Sequence, residues 1–131
     1  DLTTTSRITS LMSKSPLSID MKASVADASK LMRSARVSSV LVIDNNKLVG
    51  ILTDRDLRNR VLAENLDGSL PVHQAMTTTP VSIEPNALVF EAMLMMSEHN
   101  VHHLPVVDNG VATGVVTSTD ILRGATSFVD R

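Results

Sequence analysis

Two short segments carry the side chains best suited to hold a small polar ligand. Residues 50–57 read Gly-Ile-Leu-Thr-Asp-Arg-Asp-Leu, and residues 114–121 read Gly-Val-Val-Thr-Ser-Thr-Asp-Ile. In each segment an aliphatic strand pattern runs directly into a polar helix start, which predicts that Thr53 and Thr117 are helix N-caps. Asp56 and Asp120, three residues further on, then lie where the positive end of the helix dipole favours an acidic side chain.

This arrangement is chemically suited to a ligand that carries both an anionic group and a sugar. Amides of a first helical turn can hold an anion, and a threonine hydroxyl adds a donor and an acceptor. A nearby carboxylate can accept hydrogen bonds from two adjacent hydroxyls, such as those of a ribose. The alternative is an ordinary helix cap without any ligand, because a threonine followed by an acidic residue is also a common capping pattern.

The second segment is part of a duplication that extends over most of the chain. At an offset of 64 residues, without gaps, fifteen positions are identical, and several others exchange one aliphatic residue for another. The identical pairs include Met12 with Met76, Pro16 with Pro80, Val42 with Val106, Gly50 with Gly114, Thr53 with Thr117 and Asp56 with Asp120. The sequence therefore contains two copies of one structural unit.

Each repeat has the pattern strand, helix, strand, strand, helix. In the first repeat, Val25, Ala28 and Met32 mark one face of a helix, and a short polar turn at residues 44–46 predicts an antiparallel hairpin. The predicted elements are strands at 16–19, 40–43, 48–52, 81–83, 104–107 and 111–116, and helices from 25, at 54–63, at 88–99 and from 118. The predicted fold class is α/β (α+β). The predicted divisions of the chain are a lead-in at 1–7 and repeats at 8–66 and 67–131. Since about 60 residues bury little surface, we expect the repeats to share one core.

Composition narrows the class of protein. The 131 residues are 43% hydrophobic and 20% charged, which is typical of a globular chain. A net charge of −2 without a basic run gives no sign of binding to nucleic acid or anionic lipid. No apolar run is long enough for a membrane span, and cysteine is absent. We expect a cytoplasmic protein and, because the sequence begins at Asp1, a fragment of a longer chain.

The helix predicted at 88–99 is apolar on nearly all sides. Phe90, Met93 and Leu94 occupy positions that are small or polar in the first repeat. A helix of this kind is usually buried on both sides. We therefore expect these three residues to form a homodimer interface or to meet a neighbouring domain; a contact inside the chain is the alternative.

The repeated units resemble cystathionine-β-synthase-type (CBS) domains, and the tandem resembles a Bateman module. The resemblance covers about residues 8–123 and depends on the proline-led first strands, the aliphatic strands ending in Val-Ile-Asp or Val-Val-Asp, and the two Gly-aliphatic-aliphatic-Thr-x-x-Asp motifs. It implies two pseudo-symmetric β-α-β-β-α units packed sheet to sheet, with two clefts between them. It also implies disc-like dimers and a regulatory module that binds adenosine-containing ligands such as AMP, ADP, ATP or S-adenosylmethionine.

The resemblance also implies a role for individual residues of this chain. Asp56 and Asp120 would accept from ribose hydroxyls, Thr53 and Thr117 would contact ribose or phosphate, and Arg55 would be the cation nearest the phosphates. Segments that would lie against the base contain Pro16, Leu17, Ser38 and Val40 in one cleft, and Pro80, Val81, Val101, His102, His103 and Leu104 in the other. Because Asp54-Arg55 is replaced by Ser118-Thr119, a polyphosphate should favour the cleft that Arg55 reaches.

The sequence is also compatible with other interpretations. Residues 101–108, with residues 53–57 in the first repeat, also resemble the CBS pairs of bacterial proteins that place them between a cyclic-nucleotide-binding-like domain and a nucleotidyltransferase-like domain. A metal site at His99, His102 and His103 is disfavoured, because adjacent histidines on a strand point to opposite faces. The sequence contains no glycine-rich phosphate loop, no nucleophile elbow and no cysteine. It therefore gives no indication of an enzyme or of a required cofactor. The serious alternative is a ligand-free module that serves as a dimerising spacer.

Overall fold

The computed structural model describes residues 6–14 and 16–129, with side chains described as far as residue 124. The chain has the predicted mixed α+β fold. Its strands are β1 (Ser18–Asp20), β2 (Ser39–Asp44), β3 (Lys47–Thr53), β4 (Thr77–Thr78), β5 (His103–Asp108) and β6 (Val111–Thr117). Its helices are α1 (Val25–Ala35), α2 (Asp54–Asp56), α3 (Val89–His99) and α4 (Ser118–Val129), with short 3-10 turns at Ile8–Ser10 and Val72–Gln74.

One compact unit comprises residues 17–80 and contains a four-stranded sheet in the order β1-β2-β3-β4. Strand β1 is parallel to β2, whereas β2 and β3 form the predicted antiparallel hairpin. Its turn residues Asn45 and Asn46 both have positive φ, 50° and 66°, a conformation that asparagine tolerates better than most residues. Helix α1 buries Val25, Ala28 and Met32 in the core of this unit.

The other compact unit is formed by the described residues within 1–16 and 81–131. Strands β5 and β6 form its antiparallel hairpin, and α3 buries Val89, Ala92 and Met96 in its core. The strand predicted at 81–83 is reduced to a single parallel bridge between Ile83 and Val106. Each unit has its own core cluster, and each cluster combines buried residues of both repeats.

The compact units do not coincide with the sequence repeats, because each unit contains the leading segment of the other repeat. These leading segments are residues 8–16 of the first repeat and residues 67–80 of the second. Ile8 is fully buried in the core of the unit that holds the second repeat, and Ser13 pairs there with Val115. Val72 is fully buried in the core of the unit 17–80, and Thr77 pairs there with Ile51. The division at 8–66 and 67–131 therefore describes the sequence repeats and not the compact units.

The helix that follows Thr53 is less regular than predicted. Only Asp54–Asp56 is α-helical, and Leu57–Leu62 continues as a π-helix. Its wider turn is visible in the hydrogen bond from the Ala63 amide to the Arg58 carbonyl, five residues earlier, at 2.9 Å. The helix start, which carries the motif, is unaffected by this change.

Helix α3 has apolar residues on two sides, of which one is buried within its own unit. Phe90 is 49% exposed, and Met93 and Leu94 are each 44% exposed. These three side chains form the exposed patch of α3. In the described part of the chain, no helix has the length and apolar character needed to span a membrane.

Candidate functional site

The first motif forms a complete capping box at the end of β3. Thr53 is the N-cap of α2, and its hydroxyl oxygen accepts from the Asp56 amide at 3.3 Å. In return, Oδ2 of Asp56 accepts from the Thr53 amide at 3.0 Å. The buried strand therefore passes directly into a helix whose first residues are fixed by each other, as the sequence pattern predicted.

The Asp56 carboxylate has further partners in its unit. Its Oδ1 accepts from the Thr77 hydroxyl at 3.1 Å, and that hydroxyl also lies 3.4 Å from Oδ2. Nε of Arg60 lies 3.7 Å from Oδ1. Asp56 is 5% exposed, so both carboxylate oxygens are buried and already accept hydrogen bonds.

The second motif has the same cap with a more open carboxylate. Oδ2 of Asp120 accepts from the Thr117 amide at 2.9 Å, and the Asp120 amide donates to the Thr117 hydroxyl at 3.0 Å. The Asp120 side chain is 20% exposed. Its Oδ1 lies 3.8 Å from Nη1 of Arg123, whose side chain is 74% exposed. One carboxylate oxygen thus fixes the helix start, and the other lies next to an exposed cation.

A backbone hydrogen bond joins the start of each helix to the segment before the neighbouring strand. The Ser118 amide donates to the His102 carbonyl at 3.0 Å, and the Asp54 amide donates to the Ser38 carbonyl at 3.1 Å. At the second motif, Nδ1 of His102 also lies 3.0 Å from the Ser118 hydroxyl. The structure therefore brings His102 and Ser118 together with Thr117 and Asp120, and Ser38 together with the Thr53 motif.

The other predicted site residues occupy less uniform positions. Arg55 is exposed on the first turn of α2, and His103 is the half-buried first residue of β5. The side chains of Val40 and Leu104 are buried in the two cores, which leaves their backbone atoms as the groups that a base could meet. Four predicted residues, Pro16, Leu17, Pro80 and Val81, are half-buried, and Val101 packs against the core of its unit.

Three residues around the motifs were not predicted from the sequence. Arg60 and Arg123 lie four and three residues after the aspartates, a spacing at which oppositely charged helix residues meet. That spacing could have identified both arginines. Thr77 lies 21 residues from Asp56 in the chain, and no local pattern connects them. Among the described residues, no group of three or more His, Asp or Glu side chains is arranged to hold a metal ion.

Comparison with known proteins identifies the family. The CBS domain profile matches residues 8–63 and 72–126, which is most of the chain. The chain is also 35% identical over 97 residues to the CBS domain-containing protein YhcV of Bacillus subtilis, covering 74% of this chain and 69% of that protein. The chain therefore belongs to the CBS domain family, as a tandem pair.

Solved structures agree with this assignment. An uncharacterized conserved protein from Pyrococcus horikoshii superposes with a TM-score of 0.89 at 30% identity, covering 95% of both chains. The CBS domain pair of protein MJ0100, solved in complex with 5′-methylthioadenosine and S-adenosyl-L-methionine, has a TM-score of 0.85 at 28% identity. That comparison covers 92% of this chain and 99% of the other. Several other curated relatives are much longer, and the chain spans 21% to 23% of their length.

Proposed function

We propose that this chain is a regulatory module that binds an adenosine-containing ligand at a Thr-x-x-Asp motif and passes the bound state to attached domains of a longer cytoplasmic protein. The observation that carries the proposal is the Asp120 carboxylate, which is fixed by the Thr117 amide through Oδ2 and belongs to a side chain that is 20% exposed. Such a carboxylate can accept from the vicinal hydroxyls of a ribose without losing its role at the helix start.

The surrounding groups suit the rest of such a ligand. The hydroxyls of Ser118 and Thr119 and the positive end of the α4 dipole can receive a phosphate or another polar 5′ substituent. The relative MJ0100 was solved with two adenosine derivatives, which supports this ligand class for the present chain. AMP, ADP and ATP belong to the same class.

Regulation would follow from differential affinity. A ligand that binds one conformation of the chain more tightly shifts the population toward it, by no more than the difference in binding free energy. The much longer relatives are consistent with domains attached outside the matched segment. The secondary resemblance of residues 53–57 and 101–108 names cyclic-nucleotide-binding-like and nucleotidyltransferase-like domains as one candidate pair of attached domains.

Thermal unfolding with a ligand panel tests the proposal. The panel comprises AMP, ADP, ATP, 5′-methylthioadenosine and S-adenosylmethionine, with guanosine monophosphate and ribose 5-phosphate as controls. A ligand at about a hundred times its dissociation constant adds roughly 2.7 kcal/mol to the stability of the folded state, which corresponds to several degrees in midpoint. We expect a shift with at least one adenosine compound and none with the controls. Equal shifts with the controls, or no shift with any compound, would contradict adenosine recognition.

A ligand-free dimerising spacer is a second candidate, favoured by the exposed patch of α3. Phe90, Met93 and Leu94 are large, exposed apolar side chains. An exposed apolar patch is typical of a surface that a partner covers in an assembly. This proposal predicts a homodimer whose mass and stability do not depend on adenosine compounds. Sedimentation with and without the same ligand panel separates it from the sensor.

A further inference from the structure

The two Thr-x-x-Asp motifs are alike in sequence but differ in what surrounds the aspartate. Asp56 is 5% exposed, accepts a hydrogen bond from Thr77 and forms an ion pair with Arg60. The Asp120 side chain is 20% exposed and forms an ion pair with Arg123. The residues at the corresponding repeat positions explain the difference. The counterpart of Thr77 is Ser13, and the counterpart of Arg60 is Gly124.

Both groups that close off Asp56 are themselves held in place. Thr77 belongs to β4, which pairs with β3 next to the motif. Arg60 donates from Nη1 to the Met76 carbonyl at 2.7 Å while its Nε lies near the Asp56 carboxylate. A ribose that approached Asp56 would have to displace a hydroxyl and a guanidinium that are both anchored to the same strand segment.

Among the side chains that the structure describes, neither group has an anchored equivalent beside Asp120. Ser13 pairs with Val115 through its backbone, and its residue is exposed. Gly124 has no side chain with which to reach the carboxylate. The Arg123 guanidinium is exposed and separated from Oδ1 by 3.8 Å, so moving it aside costs little.

We propose that the two motifs have divided their roles. Asp120 is the ribose-binding carboxylate, and Asp56, closed off by Thr77 and Arg60, is a structural carboxylate that holds α2 and the leading segment of the second repeat to their unit. The chain then binds one adenosine-containing ligand, at the second motif. This assignment rests on the proposed function, because it names which motif performs it.

Two isosteric substitutions give opposite expected results. In Asp120→Asn, the amide oxygen can still accept from the Thr117 amide, but its NH2 group cannot accept from a ribose hydroxyl. We expect little change in the ligand-free midpoint and an affinity about ten-fold or more weaker. In Asp56→Asn, an NH2 group replaces a buried acceptor beside Thr77 and Arg60. We expect a midpoint lower by several degrees and an unchanged affinity.

Isothermal titration of the wild-type chain and both variants with AMP and with 5′-methylthioadenosine, combined with ligand-free unfolding, is the experiment. If Asp56→Asn fails to fold, Thr77→Val provides the same test, with Ser13→Ala as its matched control at the other motif. Thr77→Val should lower the midpoint and preserve binding, whereas Ser13→Ala should change neither.

The outcomes separate this inference from the proposed function. One ligand per chain, lost in Asp120→Asn alone, supports it. Two ligands per chain, or binding lost in Asp56→Asn with the fold intact, would overturn the division of roles and leave the proposed function standing. A wild-type chain that binds neither compound would overturn both the proposed function and the ligand role of Asp120. Equal losses of ligand-free stability in the two variants would overturn the structural role of Asp56.

Discussion

The thioether sulfur of Met12 occupies the space that a side chain on Gly114 would need, 2.7 Å from the position of a Cβ atom there. The Ser13 carbonyl oxygen is as close, at 2.6 Å from the same position. Met76 lies in the same way against Gly50 in the other unit. The glycine of each motif is therefore where the leading segment of the other repeat crosses the last strand of the hairpin.

Gly114→Ala should destabilise the protein because its new methyl group would meet backbone as well as a flexible side chain. Overpacking of this kind typically costs about 1–3 kcal/mol in the free energy of unfolding. Gly68→Ala is the matched control, since a Cβ there would meet the Ala26 Cβ at 3.2 Å and no backbone atom. Denaturant unfolding of the two variants measures the difference, and equal stabilities would show that the crossing at Gly114 is not tight.

The exchange of leading segments between the repeats could not be predicted from the sequence, although the equivalent residues that take part in it were identified. The sequence pairs Met12 with Met76 and Gly50 with Gly114 as repeat equivalents, and both assignments are correct. Because the repeats are identical at these positions, the residues would fit equally well if Met12 met Gly50 in its own repeat. Contacts between segments about a hundred residues apart leave no local pattern that decides between the two pairings.

Ile8→Ala tests whether the segment before the first repeat strand supports the unit that holds the second repeat. Ile8 is fully buried, and truncation of a buried isoleucine typically costs about 2–5 kcal/mol. Thr9→Ala, at an exposed neighbour, should change stability little. Hydrogen exchange locates the effect: we expect the amides of α3 to exchange faster in Ile8→Ala. Unchanged protection of α3 would indicate that this segment does not stabilise its unit.

Thr79→Asn should stabilise the protein. Thr79 has a φ of 42°, a left-handed conformation that is unfavourable for a β-branched residue and tolerated by asparagine. Relief of this strain should raise the free energy of unfolding by about 1 kcal/mol. Thr78→Asn serves as the control, because Thr78 is in β4 and asparagine is disfavoured in strands. A midpoint for Thr79→Asn at or below that of wild type would rule out strain at this position.

Substitution of the exposed patch of α3 tests for a homodimer. The double variant Met93→Glu, Leu94→Glu places two charges in the proposed interface and should give a monomer in sedimentation, because desolvating an unpaired charge is costly. Leu62→Glu is the control, since Leu62 is 73% exposed outside the patch and should leave the mass unchanged. A double variant with the mass of the wild-type dimer would place the interface elsewhere.

The candidate site was predictable where it depends on local sequence. Thr53 with Asp56, and Thr117 with Asp120, follow from the spacing of a cap and an acidic residue, and the hydrogen bonds agree with it. The burial of Asp56 was not predictable, because it depends on Thr77 from the other repeat. Val40 and Leu104 show a second limit: an aliphatic strand residue next to a site has the same sequence signal whether its side chain faces the core or a ligand.

Amide chemical shifts during titration of the isotopically labelled chain test the central claim most directly. The ligand would be AMP or 5′-methylthioadenosine, whichever gives the larger thermal shift, added to saturation. We predict that the largest changes occur at residues 117–120, where the α4 amides and the Asp120 carboxylate would meet the ligand, and at His102 beside them. Saturable changes confined to residues away from both Thr-x-x-Asp motifs, or no change at millimolar ligand, would contradict the account.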